Sequence, residues 1–368
     1  MKISTLTFLF AWMFSGMADA RAALNMTLDT PVVNAAAGAS VVFTGTLTND
    51  SATDKVFLNE VECTTPAGLA LKPNTFFANV PGILLPGETY TGPIFSAGLD
   101  AGASPGDYAC TVTMKGGANM VAAGDLATAG FTVLSPVVSI AASVPGAFEF
   151  GPVSGAFTVT RTGATVIPLA VPFTMGGSAG NGTDFATITP PVVIPTGAAS
   201  ADVAVAPIPN NVAEGNRSLV LTLAASGTAN TGASAAATVT IHDRPIDLWR
   251  FNQFGAAANT PAASDAASWA GDGVANVIKY ATGMDPTVNG VAALPWSSLV
   301  NGHLALSFVP NPDATDVIYV VESSTNLTSW GTSEVELVTW SPVRTYQYSH
   351  PAAEGRNVYL RLKIKRLP

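Results

Sequence analysis

The sequence predicts an all-β chain built of tandem β-sandwich modules, and three observations carry that expectation. Short runs of alternating apolar and polar residues recur between Gly, Pro and Asn turn signals, the pattern of half-buried strands. The composition is 48% hydrophobic and only 11% charged, with 34 Gly and 26 Pro, so the surface is built from Thr, Ser, Asn, Gly and Ala and the chain is too apolar to stay disordered. At 368 residues there is room for two or three modules, each burying its own core.

The first 22 residues, "MKISTLTFLFAWMFSGMADARA", join Lys2 to an apolar stretch from Ile3 to Met17 and to small-residue sites at Ala18-Asp19-Ala20 and Ala20-Arg21-Ala22. These are the three parts of a secretory signal peptide. The stretch is too short and wrongly flanked for a membrane anchor. The mature chain is therefore expected outside the cytoplasm, in the periplasm, at the cell surface or in the medium, with no integral membrane segment. A net charge of −9 leaves no basic stripe for phosphates, which argues against nucleic acid as a partner.

Residues 24–135 form the first expected module, with strand-like runs "SVVFTGTLTN", "VFLNEVECTT", "ETYTGPIFSAGL", "GDYACTVTM" and "ATAGFTVL". The two cysteines, Cys63 and Cys110, sit in two of these runs and are expected to pair in an oxidising compartment. The segment "LLPGETYTGPIFSAGLDAGASPGDYACTV" resembles the immunoglobulin-like modules of exported bacterial proteins. In that resemblance Tyr108, two residues before Cys110, takes the place of the tyrosine corner.

Residues 137–243 form the second, and the pieces "GAFTVTRTG", "GTDFATI", "VVIPTGAASADVAVAPIPNNVAEGNRSLVLTL" and "ATVTIHD" follow one another in the order of a Calx-beta domain, which this region resembles. The resemblance implies a seven-stranded sandwich whose loops at one end bind calcium through acids from four places. Glu149, Asp184, Glu214 and Asp243 match those places. Asn210 and Asn211 stand where calcium-binding members carry aspartates, Arg217 where a second glutamate often stands, and Arg244 and Pro245 follow Asp243. Calcium takes six to eight oxygens, several of them carboxylate, so two outcomes are open. Either the Asn210 and Asn211 carbonyls and the four acids hold one calcium weakly, or an arginine, Arg217 or Arg244, enters the cluster and replaces the ion. The loss of anions and the gain of cations favour the second.

Residues 246–368 are similar to the C-terminal region of many large exported bacterial proteins, in which a short helix and a degenerate calcium-type loop precede a small β-sandwich. Val274 to Ala281 has helical spacing and Gly283 can end it. Trp249, Phe251 and Phe254 in "DLWRFNQFG" are expected to dock as an aromatic plug. A loop of the D-x-D-x-D-G type with a distal Glu needs acids at 268, 270, 272 and 279, and the chain offers Ser268, Ala270, Asp272 and Lys279, which speaks against metal there. Arg361, Lys363 and Lys365 alternate with Leu362 and Ile364, as on the outer face of a last strand.

No catalytic pattern emerges. The three histidines, His242, His303 and His350, belong to no HExxH or HxH motif, and no GxSxG elbow, phosphate loop or dinucleotide fingerprint is present. The sequence thus points to an exported, non-catalytic structural or adhesive protein that needs no cofactor, with a weak or vestigial calcium site and an extracellular protein or glycan as partner. The rival is a carbohydrate-binding accessory protein, with Trp296, Trp330, Trp340, Tyr346 and Tyr348 as its stacking faces.

Overall fold

The computed structural model describes residues 24–352 and 357–368, and strands make up most of its regular structure. The expected signal segment, residues 1–22, lies outside the described residues. The described chain is a series of β-sandwiches.

In the first, a four-stranded sheet ordered Leu24–Leu28, Ser40–Asn49, Thr89–Leu99, Leu69–Lys72 faces a five-stranded sheet ordered Val32–Asn34, Gly124–Ser135, Gly106–Gly117, Val56–Cys63, Ile83–Leu84. Alternation decides which side chains meet between them. Phe43 and Leu47 turn inward, while Thr46 and Thr48 turn outward and meet Thr91 and Thr89 across the strand pair. Phe43, Phe95 and Phe131 form the centre of the core, with ring centroids 4.8 to 5.1 Å apart, the separation of favourable aromatic pairs. Alternation gave no sign of α1, Asn74–Asn79, a short helix that buries Phe76.

Cys63 and Cys110 are disulfide-bonded, with Cα atoms 6.8 Å apart. They lie on neighbouring strands of one sheet, whereas the immunoglobulin disulfide joins the two sheets. The Tyr108 hydroxyl donates to Ser104 O at 2.6 Å, as a tyrosine corner does.

The second sandwich sets the sheet Ser200–Val205, Gly155–Thr162, Val137–Val144, Asn230–Thr231 against Gly146–Phe148, Ala236–His242, Arg217–Leu223, Phe173–Gly177. Leu219, Leu221 and Leu223 all face the core, as their alternation in the sequence requires. Arg161, 4% exposed, donates to four backbone carbonyls, those of Ala198, Ile167, Thr165 and Pro195, at 2.8 to 3.1 Å. The two loops that carry these carbonyls are thus drawn together by one side chain, which gives the Ala198 and Ile167 carbonyls a donor.

The remaining residues open with α2, Pro245–Phe254, and α3, Asn276–Thr282. Gly283 ends α3 in the left-handed conformation, φ 72°, which glycine adopts without strain. Phe254 is buried and Trp249 packs beside it. Phe251 is the exception to the expected plug: it is 41% exposed and lies over Gly215 of the second sandwich, where an added Cβ would come within 2.9 Å of its ring. The last sandwich pairs the sheet Trp296–Val300, His303–Phe308, Arg344–Pro351, Val335–Thr339 with the two strands Val317–Ser324 and Tyr359–Arg366. Leu360 and Leu362 point to Leu306 and Phe308, and Arg361, Lys363 and Lys365 are exposed.

The disulfide closes a loop of 47 residues, which on the chain-entropy account contributes roughly 4 kcal/mol. Replacing both cysteines by alanine should lower the unfolding free energy of the first sandwich by about that amount in urea titrations. Intact-mass spectrometry of the native exported protein should read two hydrogens below the reduced chain.

Candidate functional site

Strand endings place the four expected acids at one end of the second sandwich. Glu149 follows the short strand Gly146–Phe148 and Asp243 follows Ala236–His242, and these two strands run parallel as neighbours. Glu214 precedes Arg217–Leu223, the next strand in the sheet. Asp184 lies in a turn that its own carboxylate closes, accepting Gly180 N–H at 2.7 Å.

A cation already stands among them. Arg217 reaches Glu214 at 2.5 Å through one guanidinium nitrogen and Asp184 at 3.3 Å through the other. Asp243 is spent on the backbone: its carboxylate accepts N–H groups from Glu214, Gly215 and Arg244 at 2.9 to 3.1 Å. Asn210 turns its amide nitrogen toward Glu149 and Glu214, both at 3.5 Å, because its oxygen is held by Val212 N–H at 2.6 Å. A calcium ligand would present that oxygen instead. The Arg244 guanidinium turns to Asn211 Oδ1 at 3.4 Å and Leu367 O at 2.8 Å. Among the described residues no group of three or more His, Cys, Asp and Glu side chains is arranged to hold a metal ion.

Burial sets the protonation of the acids that Arg217 does not reach. It pushes the Glu149 carboxyl up to about 7, against a partial lowering by the Asn210 backbone N–H and a further rise from the neighbouring acids Asp243, Glu214 and Asp247. Asp243 is pushed up to about 6, again chiefly by burial, with its three backbone donors opposing. A carboxyl buried without a cationic partner is cheaper to keep neutral than charged when its donors do not offset the desolvation.

The loop before α3 repeats the device. Lys279, which occupies the distal ligand position of the calcium-type pattern, is fully buried and lies 2.8 Å from Asp272. Its ammonium also donates to Val288 O at 2.8 Å and Pro286 O at 3.3 Å. Asp272 in turn accepts from Gly290 N–H, Ser268 Oγ and Val274 N–H at 2.7 to 2.9 Å, and these bonds, that of Gly290 first, hold its carboxyl well below the usual range. One carboxylate and two carbonyls surround a cation, and the cation belongs to the chain. Sequence reasoning took Lys279 for a lost ligand. Its carbonyl partners are backbone groups with no signature in the sequence.

The stacking faces expected of the rival reading are not gathered. The guanidinium groups of Arg344 and Arg361 lie over one face of the Trp340 and Trp330 rings, each 4.1 Å from a ring centroid, while Trp340 stays 60% exposed. Tyr348 is buried, and Trp296 sits on the opposite edge strand of the sheet from Val335–Thr339, the strand that leads to Trp340. Of the histidines, His303 and His350 lie on paired strands, but His303 bonds the Tyr348 carbonyl and His350 pairs with Glu334.

No protein-family model matches the chain, and no curated protein matches it. Among solved structures it is similar to the apo-form Calx CBD1 domain, with 20% identity, TM-score 0.26, and coverage of 30% of this chain and 98% of that one. It is similar to CBD12 from CALX1.2, with 14% identity, TM-score 0.29, and coverage of 63% and 82%. The D00-D0 domain of Intimin gives 12% identity, TM-score 0.25, and coverage of 60% and 99%. Likenesses this loose carry no argument about function.

Two outcomes follow from the geometry. Lys279→Met strands Asp272 without its cation in a buried site and should rank among the costliest single substitutions, several-fold worse in urea denaturation than Lys363→Met on the exposed strand. For Glu149 the folded carboxyl, at about 7, holds its proton above the ordinary value of 4.5. Between those two pH values the folded state binds more protons than the unfolded one, so this group makes stability fall as pH rises. Glu149→Gln should flatten that descending limb in thermal melts taken from pH 4.5 to 7.5.

Proposed function

We propose that the chain is an exported, non-catalytic structural or adhesive protein whose middle, Calx-beta-like module has its calcium position filled by Arg217. The observation that supports this most is the guanidinium bridge from Glu214 to Asp184, with the Asn210 amide directed at the remaining acid. Loops that an ion would gather are gathered by a side chain, so the fold needs no cofactor. Export is supported by the leader-like residues 1–22 and by the disulfide, which persists in oxidising compartments.

The non-catalytic reading rests on where the titratable groups go. Glu149 and Asp243 carry raised values, a feature shared with catalytic acids. Here burial beneath a closed loop end accounts for both, and Asp243 has its oxygens committed to backbone N–H groups. His350 meets Glu334, but Ser349 Oγ donates to that same carboxylate at 3.3 Å, so the pair does not aim a base at a nucleophile. The carbohydrate-binding rival finds its expected aromatics dispersed, with Tyr348 buried, Trp296 on the far edge strand, and Arg344 and Arg361 over one face of two of the rings.

Calcium at 1 to 5 mM, roughly the level that extracellular modules sense, should leave the melting temperature unchanged, because an ion that binds only the folded state must raise it. Arg217→Glu should melt lower without calcium and recover when calcium is added. A wild-type melting point that climbs several degrees over the same range would assign Glu149, Asp184, Glu214 and Asp243 to a metal. Beads coated with the mature protein should adhere to cells or matrix, and beads coated with heat-denatured protein should not.

A further inference from the structure

Helix α2 has two faces of different character. Ile246, Asp247, Arg250 and Phe254 are buried, and the spacing of 3 and 4 puts them on one side. Leu248, Trp249, Asn252 and Gln253 take the other side, where they form one wall of a cleft of about 520 Å³. The facing wall comes from the middle sandwich: Phe148 and His242, register partners on parallel strands, stack with ring centroids 4.5 Å apart and 10° between planes. Asp313, from the loop before Val317–Ser324, stands at the rim. The volume falls within the range of small-molecule sites, about 300 to 1,000 Å³.

We propose that this cleft binds a neutral saccharide, held by apolar contact of its ring with the aromatic wall and by hydroxyl hydrogen bonds to Asn252, Gln253 and Asp313. Phe148 is 45% exposed, so an aromatic face is open to a ligand and is not merely part of the core. Among the described residues the side chains of His242, Asn252, Gln253 and Asp313 hydrogen-bond to no other protein group, and two amides, an imidazole and a carboxylate together offer both donors and acceptors, as a polyol needs. The charged groups lining the cleft are Asp243 and Asp313, so an anionic ligand is repelled. A quaternary ammonium would suit the aromatics but would leave the amides unused. Both walls are fixed before any ligand arrives, since α2 starts two residues after Asp243 and Asn259 locks to Ala213 by reciprocal bonds of 2.8 and 2.9 Å. Binding therefore costs little ordering.

The inference deepens the adhesive reading by naming a partner class, and the two fail separately. The test is saturation-transfer NMR on the full mature chain with methyl glycosides of glucose, galactose, mannose and N-acetylglucosamine, their disaccharides, and choline as the cationic control, each at about 10 mM, the weak end of useful affinities. At least one neutral glycoside should bind and change Trp249 emission. Asn252→Ala with Gln253→Ala, on an exposed helical face where alanine is well tolerated, should weaken that binding roughly tenfold or more with no loss of melting temperature, and Phe148→Ala should do the same. No binding across the panel, binding of choline alone, or binding unchanged in both variants overturns the proposal. If the beads adhere while no glycoside binds, the cleft is refuted and adhesion stands; if a glycoside binds and the beads do not adhere, the reverse holds.

Discussion

The arrangement depends on one interaction used more than once: a cationic side chain of the chain itself placed where loop carboxylates or carbonyls converge. Arg217 does this for Glu214 and Asp184, Lys279 for Asp272 with two carbonyls, and Arg161 for four carbonyls. Only 16 of 368 residues are Lys or Arg, so committing three of them to loop closure is a large share. Such a cation is tethered. It cannot be removed by a chelator or diluted away, and the loops it holds do not depend on an outside concentration. The cost is that each buried partner becomes intolerant of losing the other.

The same loop end is where the second sandwich meets the residues that follow. Asp243 caps backbone groups of Glu214 and Gly215, Gly215 takes φ 76° with no room for a side chain beneath Phe251, and Pro245 begins α2 at once. Gly215 therefore answers two demands, a left-handed backbone and close approach of a ring. Asp247 within α2 and Asp265 beyond it lie between Arg250 and Arg366 at 2.8 to 3.6 Å, which ties the helix to the last strand. This reach of chain is thus a packed joint, and its outer side is the cleft.

Strand alternation made most of the fold legible. It placed Leu219, Leu221 and Leu223 inward and Arg361, Lys363 and Lys365 outward, and Gly283 marked the end of α3 because one conformation there suits glycine. The acids at 149, 184, 214 and 243 and the arginine beside them could be listed from the sequence. Which arginine enters could not, because that depends on direction: Arg217 points along the sheet edge toward Asp184, while Arg244 turns toward Leu367. The Lys279 site was hidden for a different reason, since two of its partners are main-chain oxygens. The aromatic platform could not be judged from the sequence because Trp330 and Trp340 lie in loops outside the strands, where alternation says nothing about which way a ring faces. The cleft draws on positions 148, 242, 252 and 313, too far apart in sequence for any local pattern to join them.

The bond from Arg244 to Leu367 O has a mechanical meaning. It joins the point where the chain enters its last module to Leu367, just past the last strand, and it is backed by Leu367 N–H on Asp316 O and by Ile246 N–H on the Asp316 carboxylate. A pull applied at Leu367 against the middle sandwich would be carried by these bonds together with the Arg366 ion pairs to Asp247 and Asp265. The rest of the last module would be shielded from small tension and would act as stored length, released only after the clasp had yielded.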